Sequence, residues 1–268
     1  MGCQAAPHGH RHPELFYHLF LFEDHTLHFY FLGGPDFIVG PDAPAEKRNV
    51  LGVIETVGIE AGKKVIETRK RARYIMGELG GKPIHPVLGL PGGVSKQVTE
   101  ELRQEVRAFA AEAVAFAQFT LQAFNDVVLA NQAYVDLILS DAFSEETYYM
   151  GMVDAQNRVN LYDGLIRVVD PSGAEVTQFA HADYTDHVAE HVEEWSYIKF
   201  PFLKQVGWKG FVGGQESGVV RVAPLARLNV ADGMATPLAQ AEYERMYDTL
   251  GGKPVHHTLA LHWARLVE

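Results

Sequence analysis

The most apolar run of the sequence, residues 15–37, contains polar side chains that could do chemistry. It reads LFYHLFLFEDHTLHFYFLGGPDF and holds two histidines three residues apart, His25 and His28. A helix this apolar is predicted to lie inside the protein, where polar groups are costly unless they have partners. Imidazoles can bind metals, but they also hydrogen-bond within protein cores. We interpret His25 and His28 as structural or supporting residues rather than metal ligands, with Glu23 and Asp24 as candidate partners.

A second string of residues that could do chemistry is His187-Val188-Ala189-Glu190-His191. On a helix, its two histidines and its glutamate would share one face, as in the inverted zinc proteases, where the histidines bind zinc and the glutamate acts as a base. A catalytic zinc also needs a third protein ligand, and the sequence singles none out. The simpler interpretation is a helix whose His and Glu face water. A zinc metallohydrolase through His187, Glu190 and His191 is therefore kept only as an alternative.

Helices are predicted to position these residues in the first half of the chain. The apolar run predicts a buried helix over residues 15–32, which ends at a Gly-Gly-Pro sequence. Apolar residues spaced by three and four predict an amphipathic helix over residues 59–79. Thr99 is a predicted N-cap, and the long helix that it begins runs to about Asn125.

The second half of the chain has a mixed pattern. Residues 165–179 predict a β-hairpin around the turn sequence Asp170-Pro171-Ser172-Gly173. A short helix is predicted over residues 184–194 and a strand over residues 219–222. We therefore predict a mainly α protein with an inserted α/β section, forming one domain overall. Its parts are a helical core segment, a mixed section and a return to the helical core, at residues 1–140, 141–235 and 236–268.

Composition excludes several classes of function. The 268 residues carry a formal net charge of -11, which disfavours nucleic acid and anionic membrane surfaces as partners. Cys3 is the only cysteine, so the chain has no disulfide framework and no thiolate cluster for zinc or iron-sulfur. The N-terminal sequence lacks the apolar region of a signal peptide, and the later apolar run is interrupted by charges. We expect a cytoplasmic protein that does not enter a membrane.

Six segments, in order along almost the whole chain, resemble the large, catalytic subunit of the cytoplasmic, bidirectional nickel-iron hydrogenases. They are DHTLHFYFLGGPDF, GGKPIHPVLGLPGGVSK, NLYDGLIRVVDPSGAEV, EHVEEWSYIKFPFLK, VAPLARLNVAD and GGKPVHHTLALHWARLVE, which begin at residues 24, 80, 160, 190, 222 and 251. The resemblance implies a nickel-iron hydrogenase large-subunit-like helical core. It also implies heterolytic H2 oxidation and proton reduction in the complete protein.

The resemblance assigns a role to two residues at the end of the apolar run. The acid that ends the His-x-x-His-Phe motif of the family lies above the metals beside an arginine, and by position that acid is Asp36. Its predecessor Pro35 would line the route by which gas reaches the metals. Asp36 could equally be a turn residue after Pro35. The chain departs from the family at Asp24, where serine is more common, and at Ala223, where glycine is more common.

The same resemblance shows what this sequence lacks. The family holds its nickel-iron centre with two CxxC pairs, and neither occurs here. We therefore expect a fragment truncated at both ends, which binds no nickel-iron centre by itself and is inactive alone. The implied partners are the iron-sulfur small subunit, further electron-transfer subunits, H2 and protons. A metal-free, hydrogenase-like component of a quinone-reducing complex is a further alternative, since that relative also lost its metal cysteines.

Overall fold

A computed structural model describes residues 7–91 and 93–268, and it divides the chain into two units. The first unit ends at Tyr134 and the second begins at Val135. Within the described residues the first unit is built almost entirely from helices, and the second combines helices with small sheets. The predicted combination of helices with a mixed section is therefore confirmed in part, since about half of the chain is helical and the sheets are small, while the hydrogenase large-subunit-like helical core is not confirmed. The three-part domain division stays a prediction.

The described part of the first unit contains α-helices, one pair of very short strands and the π-helical segments His28–Gly33, Pro35–Val39 and Asn125–Leu129. The α-helices are α1 (Pro7–Leu27), α2 (Val50–Val57), α3 (Ile59–Gly80), α4 (Glu100–Phe124) and α5 (Gln132–Ile138), the last of which runs into the second unit. The strands β1 (Gly89–Leu90) and β2 (Gly93–Val94) pair antiparallel. Thr99 caps α4 as predicted, because its hydroxyl accepts from the amide of Leu102 at 3.2 Å.

The core of the first unit lies where α1, α3 and α4 pack together. Each of these helices contributes an apolar face, and for α3 this is the amphipathic spacing that the sequence predicts. The buried side chains are Phe16, Leu19, Ala72, Ile75, Met76, Leu79, Leu88, Leu102 and Phe109. The apolar face of α1 is thus buried against two other helices, which explains the high apolar content of its sequence.

The second unit is built around a four-stranded sheet with the order β5-β4-β3-β8. Its strands are β3 (Tyr148–Val153), β4 (Leu165–Val169), β5 (Glu175–Ala180) and β8 (Val220–Arg221). A separate hairpin consists of β6 (Val188–Val192) and β7 (Lys199–Leu203). The helices are α6 (Tyr184–His187), α7 (Pro224–Val230), α8 (Pro237–Leu250) and α9 (Leu261–Val267).

The predicted hairpin over residues 165–179 is confirmed. β4 and β5 pair antiparallel from Leu165 opposite Ala180 to Val169 opposite Glu175. The Asp170 carboxylate closes the turn by accepting from the amides of Ser172 and Ala174 at 2.8 and 3.0 Å.

The predicted helix over residues 184–194 is wrong beyond its first turn. Only Tyr184–His187 is helical, and the chain then continues as strand β6. The local pattern is misleading here, because Val188 and Val192 are four residues apart, which is a helical spacing. Antiparallel pairing with β7, which comes later in the chain, overrides that pattern.

Among the described residues, no single helix is long and apolar enough to cross a bilayer. One bent pair, Glu100–Leu129 with Gln132–Ile138, meets the length and composition criteria only when the two helices are taken together.

Candidate functional site

The helix that carries the predicted site residues changes its winding where those residues begin. α1 continues directly into two π-helical segments, His28–Gly33 and Pro35–Val39. The amide of Gly34 donates to the carbonyl of Phe29, five residues earlier, which is the spacing of π winding. Short π segments are rare and are found frequently at functional sites. The winding therefore supports this stretch as the candidate site of the first unit.

Gly34 is required by this geometry. A Cβ atom at this position would lie 2.4 Å from the backbone oxygen of Phe29, and backbone cannot yield as a flexible side chain would. The backbone of Gly34 itself is in the ordinary right-handed region, at φ -56°. Its role is thus to allow a close approach of two turns of the chain rather than an unusual torsion.

Pro35 and Asp36 are neighbours with different surroundings. Pro35 is buried, whereas the side chain of Asp36 is 58% exposed. The Oδ1 atom of Asp36 lies 3.5 Å from Nη1 of Arg48. An exposed ion pair of this length contributes on the order of 0–1 kcal/mol to stability. Asp36 therefore has a guanidinium partner in its own unit and a carboxylate that other groups can reach.

His25 and His28 of the apolar run differ in burial. His25 is buried, and its Nδ1 atom lies 3.7 Å from the Oδ2 atom of Asp24. His28 is half-buried and is the first residue of the first π-helical segment. Asp24 thus lies beside His25 as predicted, whereas the carboxylate of Glu23 bonds to a different residue. The supporting role assigned to both histidines stays a prediction.

The partner of Glu23 is Arg69 of α3. Arg69 Nη2 donates to Glu23 Oε1 at 2.5 Å, and the side chains of Arg69 and Glu23 are only 13% and 11% exposed. The Arg69 guanidinium also lies over the ring of Phe31, 4.7 Å from its centroid. Arg69 was not predicted as a partner of Glu23. The sequence does contain a signal for it, because Arg69 falls on the apolar face of its helix, between Val65 and Ala72.

A second polar contact fixes the π-helical stretch to α4. The hydroxyl of Tyr30 lies 2.9 Å from Oγ1 of Thr120, and both side chains are buried. Burial raises the pKa of the Tyr30 phenol to about 12, although the hydrogen bond to Thr120 opposes this shift. Tyr30 is therefore neutral at physiological pH, and its role here is to hold the segment in place.

The second unit contains a polar network that the sequence analysis also missed. Arg167 of β4 donates to Glu175 and Asp232, both at 2.8 Å, and to the carbonyl of Val230 at 2.6 Å. Val230 ends α7, so this contact satisfies one of the carbonyls that a helix leaves without an internal partner. A lone arginine inside the apolar strand sequence LIRVV was the available signal.

Two further side chains donate hydrogen bonds to the next backbone carbonyl, that of Ala231, which directly follows α7. Lys253 Nζ and the hydroxyl of Tyr243 both donate to the backbone oxygen of Ala231, the tyrosine at 2.7 Å. Burial lowers the pKa of the Lys253 ammonium to about 8, while the Asp232 carboxylate opposes that shift. The GGKPV sequence at residues 251–255 thus helps to hold the end of α7.

The residues 187–191, kept as an alternative zinc site, do not form the geometry that zinc would need. Because His191 and Glu190 belong to a strand, they do not share a helix face with His187. Glu190 instead accepts from Lys199 at 2.9 Å, and His191 lies 2.9 Å from Glu193. The ring of His187 stacks on Phe179 with centroids 4.0 Å apart. The alternative of a zinc metallohydrolase is therefore wrong.

Among the side chains that the structure describes, those of residues 11–91 and 93–268, there is no group of three or more His, Cys, Asp and Glu placed to hold a metal ion. Cys3 lies outside these residues. One cysteine in the whole sequence also falls short of the thiolate sets that bind iron-sulfur clusters. The donor set of the described residues does not fit a nickel-iron centre.

The known proteins that this chain resembles in sequence are hydrogenase subunits. It is 46% identical, over 95% of its length, to an iron-sulfur subunit of the F420-non-reducing hydrogenase of Archaeoglobus profundus, of which it covers 52%. It is 33% identical, over its full length, to the beta subunit of the NAD-reducing hydrogenase HoxS of Cupriavidus necator, of which it covers 54%. The chain spans about half the length of the curated relatives it matches. No family model matches the sequence.

Solved structures agree with the sequence relatives. The chain superposes with a TM-score of 0.87 and 29% identity on an NAD+-reducing NiFe-hydrogenase in the H2-reduced state, covering 98% of this chain and 56% of that one. A Ni-Fe-Se hydrogenase of D. vulgaris Hildenborough shares the fold with a TM-score of 0.65 and 16% identity, covering 98% of this chain and 59% of that one.

These names correct one prediction and confirm another. The relative from Archaeoglobus profundus is named an iron-sulfur subunit, and the relative from Cupriavidus necator a beta subunit, so the assignment to the large, catalytic subunit is overturned. The six segments quoted above resemble hydrogenase sequences, but they do not by themselves tell one subunit from another. The relationship to enzymes that act on hydrogen is confirmed, since the relatives are hydrogenase subunits.

Proposed function

We propose that this chain is part of one subunit of a multi-subunit nickel-iron hydrogenase whose complete assembly oxidises H2 and reduces protons. The observation that carries the proposal is sequence identity to hydrogenase subunits that extends along nearly the whole chain. The fold supports it, because nearly all of this chain superposes on an NAD+-reducing NiFe-hydrogenase.

Within that assembly, we propose that the chain forms part of the protein wall around the reacting site and supplies none of the metal ligands. Asp36 is proposed as a positioning residue whose carboxylate holds the Arg48 guanidinium and remains open to other groups. Pro35, which is buried beside it, is proposed to line the route taken by H2. His25 and His28 support the same stretch from the preceding turns of the helix.

The ligands of a nickel-iron centre would have to come from outside the described residues. We propose that the isolated chain therefore holds no stoichiometric nickel, iron or zinc and does not turn over hydrogen. The partners are further hydrogenase subunits that contribute metal ligands and electron transfer. An iron-sulfur small subunit is no longer singled out, since a relative of this chain is itself named an iron-sulfur subunit. A cytoplasmic location is also proposed, in keeping with the acidic composition and single cysteine.

The test is to isolate the chain from its source cells together with whatever it assembles with. A tag at the chain's gene, anaerobic purification and an assay of H2-dependent viologen reduction would measure the activity. We expect hydrogen uptake in the isolated assembly and none in the recombinant chain alone, with nickel and iron found by elemental analysis only in the assembly. An assembly that contains the chain and reduces no viologen with H2 would overturn the proposal.

A further inference from the structure

The strongest surface feature of the second unit is a set of exposed apolar side chains at one end of the β6–β7 hairpin. The loop between the strands contains Trp195, which is 70% exposed, Tyr197, which is 98% exposed, and the exposed Ile198. Phe211 is also exposed, and its ring centroid lies 6.2 Å from that of Trp195. We call these four residues the hairpin tip. Four large apolar side chains exposed on one loop and the segment beside it form a candidate interaction site.

The hairpin tip rests on a packed aromatic base. The ring of Phe211 meets those of Phe200 and Trp208 edge-on, with centroids 4.8 and 5.0 Å apart. Trp208 in turn stacks on His191 at 4.3 Å. The exposed rings of Trp195 and Phe211 are therefore held against a packed support, and a partner would not have to order these two rings on binding.

The loop of the hairpin is also fixed by its own hydrogen bonds. The amide of Ser196 donates to the carbonyl of Glu193 at 3.2 Å, and the amide of Ile198 donates to the Ser196 hydroxyl at 3.0 Å. Trp and Tyr on such a support are the residue types that dominate binding energy in protein interfaces.

The charges beside the hairpin tip indicate what kind of surface it fits. Glu193 and Glu194 directly precede Trp195, and the six residues 193–198 include no lysine or arginine. Lys199 comes next, but its ammonium is paired with Glu190 at 2.9 Å. The whole chain carries a formal net charge of -11. Like charges therefore disfavour a second copy of this chain or an anionic membrane as the occupant, and a basic surface is favoured.

We propose that the hairpin tip is a docking surface for a protein partner that offers an apolar pocket bordered by lysine and arginine side chains. Trp195 and Tyr197 would fill the pocket, and Glu194 would face the basic border, whereas the Glu193 carboxylate lies 2.9 Å from His191 of the same hairpin. This inference goes beyond the hydrogenase proposal and does not depend on it, since it rests on exposure, ring packing and charge alone.

The experiment uses the full chain and a synthetic helical peptide with leucine on one face and lysine on the other. Binding is measured by calorimetry at low and at high salt. We expect the lysine peptide to bind and a matched peptide with glutamate in place of lysine not to bind. The double variant Trp195→Ala with Tyr197→Ala should lose about tenfold or more in affinity, and Glu194→Lys should also bind less tightly.

Tyr74→Ala is the matched control, because Tyr74 is another exposed aromatic residue, on α3 of the first unit. This variant should bind the peptide as the parent does, and thermal unfolding would confirm that each variant is folded. Equal binding by the parent and the Trp195/Tyr197 variant would overturn the proposal. So would dimerisation of the parent that Trp195→Ala abolishes, or binding to phosphatidylcholine vesicles through Trp195.

Discussion

Arg69 and Glu23 join α3 to α1 through a 2.5 Å contact that is almost closed to solvent. Removing one member of such a pair leaves the other charge buried and without compensation, which costs about 3–5 kcal/mol. We therefore expect Arg69→Met to lower the free energy of unfolding by an amount of that order. Urea denaturation followed by circular dichroism would measure it.

The double variant Glu23→Leu with Arg69→Met is the control for this pair. It removes both charges and leaves apolar side chains of similar size, so it should recover much of the stability that Arg69→Met loses. A double variant that is less stable than either single variant would contradict the interpretation of Glu23 and Arg69 as one buried pair.

Gly34→Ala tests the close approach of the two turns in the π-helical stretch. A new Cβ atom 2.4 Å from the Phe29 carbonyl oxygen forces the backbone to shift, and we expect a destabilisation of about 1–3 kcal/mol. Gly77→Ala in α3 is the matched control, because the nearest atom to its Cβ would be 3.8 Å away. That change should stabilise the helix by about 0.5–1 kcal/mol. Similar effects at both positions in thermal unfolding would refute the steric explanation.

Ala223 has a backbone conformation, φ 77° and ψ -171°, that is almost restricted to glycine. We expect Ala223→Gly to raise the free energy of unfolding by about 1 kcal/mol, since relieved strain exceeds the added freedom of the unfolded chain. Ala226→Gly, within α7, should instead lower it by about 1 kcal/mol or less. Melting temperatures of the two variants should therefore move in opposite directions, and a shared downward shift would argue against strain at Ala223.

The contact between Arg167 and Asp232 predicts a pH dependence of stability. Burial tends to raise the pKa of the Asp232 carboxyl, but hydrogen bonds from Arg167 and Asn157 outweigh burial and hold the pKa below its ordinary value of 3.8. A carboxyl with a lowered folded-state pKa contributes stability above its unfolded pKa and loses that contribution as pH falls through the folded one.

We therefore expect Asp232→Asn to be less stable than the parent at about pH 7, with the difference shrinking below about pH 4. Urea titrations of both proteins across this range would measure it. Asp163→Asn is the control, because Asp163 is an exposed carboxylate of the same unit. A difference between Asp232→Asn and the parent that stays constant down to about pH 2 would exclude the charge as its cause.

Asp36→Asn tests the proposed wall carboxylate in the isolated assembly. The substitution keeps the shape of the side chain and removes its charge, so metal content and folding should be retained while hydrogen turnover falls about tenfold, which corresponds to about 1.4 kcal/mol in the barrier. Asp42→Asn, at an exposed acid a few residues later, should leave turnover unchanged. Unchanged turnover with lowered thermal stability in Asp36→Asn would identify Asp36 as a turn residue only.

Local sequence signals predicted the elements whose formation depends on neighbouring residues. The Thr99 cap and the turn closed by Asp170 are cases of this kind, and both form as expected. The strand that contains Glu190 was missed, because its pairing with β7 is a contact between separate segments. The partner of Glu23 was missed for the same reason, since Arg69 lies 46 residues away. The pattern of polar residues in an apolar run pointed to His25 and His28, whereas Asp36 and Pro35 were singled out only through family resemblance, and that resemblance did not discriminate between subunits.

The two π-helical segments also change what a single deletion would do to this helix. An α-helix turns about 100° per residue, so losing one residue from an ordinary α-helix rotates everything that follows by about 100°. A π turn holds an additional residue without ending the helix, so losing one residue near Gly34 would restore α winding while the later turns keep their orientation. The close approach of position 34 to the carbonyl of Phe29 would disappear together with the π turn. A one-residue deletion is therefore better tolerated in this stretch than in α3 or α4.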